Sequence, residues 1–408
     1  MRADLPAKLS AGRQFDPHPR PIDLAGAGAY VLLRTSSQGL EFRLRPDIVR
    51  LFAPFALLPG LLGAAQARAQ ATHGPEASAV PPTTIIGFAD VNYLETERDV
   101  EEGFVLGQLA GHVTSGLSER LTFFGEVSAT ARPDQYRIEV ERLILRWDFN
   151  DQLKLSGGRY HTPVSYWNTA FHHGLWLQTS VSRPEMIRFG SRVLPVHFVG
   201  ILVEGGFPLA PLGIGYAGGV GNGRGDEISR GGDAGDANQH RAILATIHSR
   251  PPEIFGLQVG AAVYVDKVSV EPGFPDTPFE VDEQIFSAHV ALTRERPEVL
   301  AEYARIRHEP ESGDDSTDTD AWYVQAAYRL PPPADALKPY ARVERIAIPT
   351  EDPVFPVDDL RYEGFLVGVR YDFASLAAVK LEYRREQFGR GDDENSLWAQ
   401  VAFTFGAH

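Results

Sequence analysis

A chain of 408 residues with 43% hydrophobic residues is long enough for two or three soluble domains or one large barrel. It has no cysteine, which excludes disulfides, thiolate nucleophiles and zinc–cysteine sites, and it has no apolar run of the ~18 residues that a membrane-spanning helix needs. The formal charge of −15 argues against nucleic acid as a partner.

Residues 1–42 mix both charges with frequent Pro and Gly and show no sustained periodicity, and they read as a non-native or disordered extension. Residues 43–69 have the composition of a secretory signal peptide. Arg43, Arg45 and Arg50 form a basic flank, Leu51 to Ala64 is apolar and uncharged, and Ala67-Arg68-Ala69 matches the A-x-A cleavage pattern. The apolar core is too short to span a membrane as a helix, and a short buried helix is the plainer alternative. A Pro-rich lead, residues 70–82, follows on the periplasmic side. From residue 70 onward the chain carries 30 Lys/Arg against 49 Asp/Glu, a formal charge of −19.

Beyond residue 82 the pattern changes to period two. Phe365, Val367, Val369, Tyr371 and Phe373 share one face, opposite Gly364, Leu366, Gly368, Arg370 and Asp372. An apolar face opposite a polar one is the mark of a strand. Sixteen such segments are predicted: 83–94, 103–114, 120–131, 136–149, 153–164, 197–208, 212–222, 239–249, 255–268, 283–294, 298–308, 320–331, 338–348, 361–373, 376–388 and 395–405. Most exceed the ~9–11 residues that a tilted strand needs to cross a bilayer. Short turns such as Asn150-Asp151 and Ala374-Ser375 mostly alternate with longer polar loops, as outer-membrane barrels alternate periplasmic turns with outer loops. Aromatics mark the expected interfaces. Trp147, Phe149, Phe207, Tyr328, Tyr371, Phe373, Phe403 and Phe405 end the inward strands, and Tyr93, Tyr166, Trp167, Trp322 and Phe388 lie near the opposite rim. The fold class predicted for 83–408 is all-β, an antiparallel transmembrane β-barrel of about 16 strands. A soluble β-sandwich is the alternative, and it explains neither the strand number nor the export signal.

The third outer loop, Asn168 to Val196, is the longest at 29 residues. Phe171, Leu175, Trp176, Met186, Ile187 and Phe189 require something to pack against. Its charges, Arg183, Glu185, Arg188 and Arg192, are the candidate pore constriction, because fixed charge in a low-dielectric wall sorts ions. Pairing of these arginines with lumenal carboxylates such as Asp90, Glu126 or Glu204 is the alternative. Alternation assigns Arg142, Arg146, Arg159, Arg342, Glu344, Lys380, Glu382 and Arg384 to the pore lining, read as a solvated, salt-bridged interior. His161, His172 and His173 raise a metal reading, but no carboxylate–histidine spacing supports it, so no metal and no cofactor is assigned. Arg224-Gly225-Asp226 reads as an ordinary Gly-rich turn.

The chain resembles the sixteen-stranded porins of Gram-negative outer membranes over residues 83–408, including a final strand, Leu397 to Phe405, that ends in aromatics. Gly158-Arg159-Tyr160-His161-Thr162-Pro163, with Arg183-Pro184-Glu185 and Gly190-Ser191-Arg192, is loosely similar to the phosphate-selective group, without a ladder of pore-facing arginines. The resemblance implies a third loop folded into the lumen and passive diffusion of small hydrophilic solutes through a water-filled pore. The partners expected are outer-membrane lipid and lipopolysaccharide, hydrophilic solutes and, as an option, a homotrimer, with no nucleic acid. Two other functions stay open. A lipid-acting barrel enzyme has Ser287 and His289 on one strand face but no G-x-S-x-G elbow, and a surface adhesin would use the acidic outer loops.

Overall fold

The alternating segments become strands in a computed structural model that describes residues 34–36, 39–41 and 83–406, apart from 99, 101, 133–134, 191, 209, 225–227, 229–231, 237, 271–278, 314 and 356–359. The expected signal peptide 43–69 and the lead 70–82 lie outside the described residues. Within the expected extension 1–42, β1 (Arg34–Ser36) and β2 (Gly39–Glu41) pair as a short antiparallel ladder. No helix among the described residues is long and apolar enough to cross a membrane.

Sixteen strands follow: β3 (Thr84–Thr96), β4 (Gly103–Gly116), β5 (Leu121–Ala131), β6 (Tyr136–Asn150), β7 (Leu153–His161), β8 (His197–Phe207), β9 (Ile214–Asn222), β10 (Arg241–Ser249), β11 (Leu257–Val270), β12 (Phe279–Thr293), β13 (Glu298–Pro310), β14 (Thr317–Ala327), β15 (Leu337–Ala347), β16 (Tyr362–Ala374), β17 (Ala377–Phe388) and β18 (Glu394–Gly406). Each pairs antiparallel with its sequence neighbours, and β18 pairs with β3 to close the barrel, with Val401 opposite Val91 and Phe405 opposite Gly87. Closure leaves no strand edge, so every spanning strand finds its backbone partners within the protein.

The two faces are inverted relative to a soluble barrel. Phe365, Val367, Tyr371 and Phe373 of β16 are exposed on the outside, while Leu366 and Arg370 are buried within. The inner-end aromatics Trp147, Phe149, Phe207, Tyr328, Phe403 and Phe405 are also exposed, in keeping with an interfacial girdle. Inside, the polar set includes Glu126, Glu283, Glu302, Arg342, Lys380 and Gln400, all buried. Part of the lumen is packed solid. Phe198, Leu244, Tyr264, Ile285, Leu300, Ile306 and Tyr323 of the wall form one apolar cluster with Trp167, Ile187 and Leu194 of the connection between β7 and β8.

Several expected boundaries shift for local reasons. The strand expected to reach 164 ends at His161, ahead of Pro163, which has no N–H to give the ladder. The strand expected at 320–331 runs from Thr317 to Ala327, and Pro331, Pro332 and Pro333 sit in a connection of nine residues where a short turn fits the general rule. Tyr166 and Trp167 are not rim residues. They lie in α1 (Tyr166–Ala170), where Trp167 is fully buried against Tyr323.

Candidate functional site

Residues 162–196 leave β7 and fold back into the lumen. Ser165 caps α1, its hydroxyl accepting from Asn168 N at 3.2 Å. The wall completes that cap. Glu302 of β13 accepts from the N–H groups of Tyr166 (2.7 Å) and Trp167 (2.8 Å) and from the Tyr323 hydroxyl (2.7 Å). A carboxylate at exposed helical N–H groups satisfies both partners without water.

The next stretch is held by the wall formed by β15, β16 and β17, where five wall charges each meet loop backbone groups of opposite polarity. Lys380 donates to the carbonyls of Leu175 (2.5 Å) and Ser180 (3.0 Å), and Arg370 to those of Trp176 (2.6 Å) and Gln178 (3.0 Å). Arg342 donates to the carbonyls of Ser182 and Arg183, both at 3.0 Å, while paired with Glu344 at 2.9 Å. The carboxylates take the N–H groups: Glu382 accepts from Val181 N at 2.9 Å and Glu344 from Glu185 N at 2.6 Å. Hydrogen bonds to charged groups contribute about 1.5–3 kcal/mol each, so this set pins the loop firmly. On the return, Arg224 donates to the carbonyls of Arg192 (2.8 Å) and Val193 (2.9 Å) and pairs with Glu283 (3.1 Å).

The loop lies between two cavities. The outer one, about 490 Å³, is lined by Arg183, Glu185 and Arg188 on the loop side and by Arg342, Glu344 and Arg384 on the wall. The inner one, about 560 Å³, is bordered by Lys154, Glu204, His248, Arg250 and His289, with Ser165 and Tyr166 of the loop. Arg183 is buried, its guanidinium 3.7 Å from the Phe189 ring centre and donating to the His172 carbonyl at 3.1 Å. Burial lowers it to about 9. Arg188 is half exposed and pairs with Glu185 at 2.7 Å. Burial pushes the Glu185 carboxyl up to about 7, with Arg188 pulling the other way. Arg192 is exposed and is not among the residues lining the outer cavity.

The eight expected lining residues divide. Arg142 pairs with Glu126 (2.5 Å), Arg146 with Asp148 (2.8 Å), Arg159 with Asp233 (2.7 Å), and Arg384 with Glu382 (2.7 Å) while lying over Trp398. Arg342, Glu344, Lys380 and Glu382 are buried and hold the loop, which departs from the solvated interior expected of them. The alternative pairing for Arg183, Arg188 and Arg192 is not what the structure shows either. Glu126 meets Arg142 and His112, and Glu204 meets Arg146 at 3.7 Å. Ser287 and His289 are not joined: the Ser287 hydroxyl donates to the Val164 carbonyl, and His289 faces Gln258 and Tyr166.

Sequence reasoning missed Glu302, Arg370, Glu141 and His197. Glu302 and Arg370 were visible as polar positions on lumenal faces. Glu141 and His197 acquire meaning only through strand pairing, because His197 is the register partner of His161. His161, His172 and His173, noted in the sequence, are brought together with both, buried between the loop and the wall formed by β6, β7 and β8.

No protein-family profile and no curated sequence matches the chain. Solved structures do. An anion-selective porin from Comamonas acidovorans superposes with a TM-score of 0.57 at 12% identity, covering 79% of this chain and 99% of that one. OmpT, an outer membrane protein of Vibrio cholerae in its trimer form, gives 0.56 at 17% identity over 79% and 99%. The outer membrane channel DcaP of Acinetobacter baumannii gives 0.51 at 11% identity over 79% and 97%. The chain has the closed sixteen-stranded fold of Gram-negative outer-membrane porins.

Proposed function

We propose that this barrel is a diffusion channel that passes small hydrophilic solutes or ions across an outer membrane, through a water-filled path narrowed by residues 168–196. The observation that carries this reading is the inward-folded loop, clamped to the far wall, with a charged cavity on each side. A sixteen-stranded barrel is wide enough to hold an aqueous channel, and a rim of both signs acts on ions through its transverse field. The outer rim supplies such a field through Arg183, Arg188 and Arg384 against Glu185, Glu344 and Glu386. The same reading makes residues 43–69 an export signal whose removal leaves a mature chain starting near Gln70, which N-terminal sequencing of the purified barrel checks. It makes outer-membrane lipid and lipopolysaccharide the surroundings of the apolar face, and a homotrimer the assembly.

Single-channel recording in a planar bilayer tests it. Deleting residues 171–189 removes most of the loop while leaving all sixteen strands, so conductance rises and the barrel stays folded. Unchanged conductance on deletion overturns the loop as constriction. Absence of any conductance in both proteins overturns the channel.

A further inference from the structure

The first half of the loop meets the barrel wall at four imidazoles gathered around one carboxylate. His161 ends β7, His197 begins β8, His172 and His173 follow α1, and Glu141 projects from β6. His161 and His172 stack with ring centroids 3.5 Å apart, and His172 lies 4.4 Å from His173 and 4.9 Å from His197. Glu141 oxygens lie 3.1 Å from His197 Nε2, 3.2 Å from His173 Nε2 and 3.9 Å from His172 Nε2. His161, His172 and His173 are each at most 5% exposed.

The hydrogen bonds fix which nitrogens are bare. The Asn168 amide nitrogen donates to the carbonyls of Thr162 (3.1 Å) and Val196 (2.7 Å), so its oxygen faces His172 Nδ1 at 2.6 Å. An amide oxygen only accepts, which puts the proton on Nδ1 and leaves His172 Nε2 as a lone pair. The Gln108 side chain holds His173 Nδ1 and reaches the Thr130 hydroxyl at 3.0 Å, while His173 Nε2 points at Glu141. His172 Nε2 and His161 Nδ1 have no hydrogen-bond partner, whereas His173 Nε2 and His197 Nε2 face Glu141 and His161 Nε2 faces Glu126 at 3.3 Å. A buried polar atom left unpaired is unfavourable, and here two such atoms lie in one cluster with three more nitrogens that meet only carboxylates.

We propose that this cluster is a binding site for one divalent transition-metal ion of the zinc class, with His172 as the shared ligand and His161, His173, His197 and Glu141 supplying the others. Two triads already have all donor atoms within 4.8 Å of one another, His161–His172–His173 and Glu141–His172–His197. Zinc bonds of about 2.0–2.2 Å need those atoms to close by roughly 1 Å, a side-chain adjustment. Imidazole nitrogen suits zinc, copper and nickel, and one carboxylate lowers the charge of the site. Asn168 and Gln108 orient two ligands, and Ser128 donates to Glu141 at 2.6 Å, the arrangement expected of outer partners. Glu141, His173 and His197 line the outer cavity, which gives an ion its way in. Arg142 and Arg159 compete for the nearby carboxylates, Arg142 with Glu126 and Arg159 with Glu141 at 3.5 Å. The rival account is therefore a cluster satisfied by extra protons on His173 and His197.

The test uses the full-length folded protein in detergent, stripped with a chelator and then dialysed against zinc chloride. The site predicts about one tightly held zinc ion per chain, lost in the His172→Ala, His173→Ala double variant and kept in a surface control, His240→Ala. Gln108→Leu, which removes an orienting partner, weakens zinc about 10–100-fold. Should the double variant fail to fold, cobalt(II) added to the wild-type chain decides. An intense four-coordinate visible spectrum, displaced by zinc, supports the site. A weak six-coordinate spectrum, no uptake, or zinc retained equally by the folded double variant overturns it and leaves the protonated cluster. The readout is metal binding alone, so it stands or falls separately from conductance.

Discussion

The two walls that grip the lumenal loop do so in opposite ways. Against β15, β16 and β17, every charge found at the loop backbone meets a complementary group: Lys380, Arg370 and Arg342 take carbonyls, and Glu382 and Glu344 take N–H groups. Against β6, β7 and β8, the loop brings His172 and His173 to His161 and His197; His173 and His197 meet Glu141 at 3.2 and 3.1 Å, but His172 Nε2 and His161 Nδ1 have no hydrogen-bond partner. A socket that is complete in itself is explained by anchoring. A socket with bare lone pairs is stable only with something added, a proton or an ion. Burial alone therefore does not separate structure from function here, but the state of the hydrogen bonds does.

The completed socket can be broken outright. Arg342→Met keeps the bulk but strands the buried Glu344 carboxylate and the carbonyls of Ser182 and Arg183. Removing one partner of a buried pair costs about 3–5 kcal/mol, and a folding titration in detergent reads it. A cost under 1 kcal/mol means that water already reaches this wall. The contrast between inner and outer faces gives the next effect. Val367 faces outward beside buried Leu366, and Val367→Arg costs about 2–4 kcal/mol if that face meets lipid at mid-membrane. The same titration in lipid vesicles checks it, and no cost places Val367 outside the bilayer.

The smallest effect concerns charge and not stability. Glu185 titrates near 7, raised by burial, and pairs with half-exposed Arg188. Below that value the carboxyl is protonated and Arg188 stands uncompensated at the rim. Above it the pair is neutral overall. Anion preference, read as a reversal potential in a salt gradient, therefore increases as pH falls from 8 to 5, by the screened rim charge of a single group. Glu185→Gln removes the change; persistence of the full shift in that variant assigns it to another group.

The strands were legible because period-two alternation is local. Gly364 to Phe373 declares both its faces without reference to any other segment. The inward loop was legible from its length and from the apolar residues it could not leave in water. Alternation also placed Arg342, Glu344, Lys380 and Glu382 on the lumenal side, but it could not show that a loop about 160–205 residues away would cover them. Tyr166 and Trp167 were misplaced for a physical reason: aromatic residues just past a strand end look alike whether they meet an interface or enter a core. The histidine cluster needed register, since nothing local to His197 says that it sits opposite His161.

Closure of β18 onto β3 sets a timetable for the chain. The first spanning strand waits for the last before its edge is covered, and the loop after β7 waits for β15, β16 and β17 before Lys380, Arg342 and Glu382 can receive it. Pairings so distant in sequence make the search slow. Until the final strands arrive, residues 162–196 are an unanchored segment with Trp167, Met186 and Ile187 unburied. The last third of the polypeptide is thus the part that decides when the interior sets, and a chain released before it is complete leaves the rest open to proteases and chaperones.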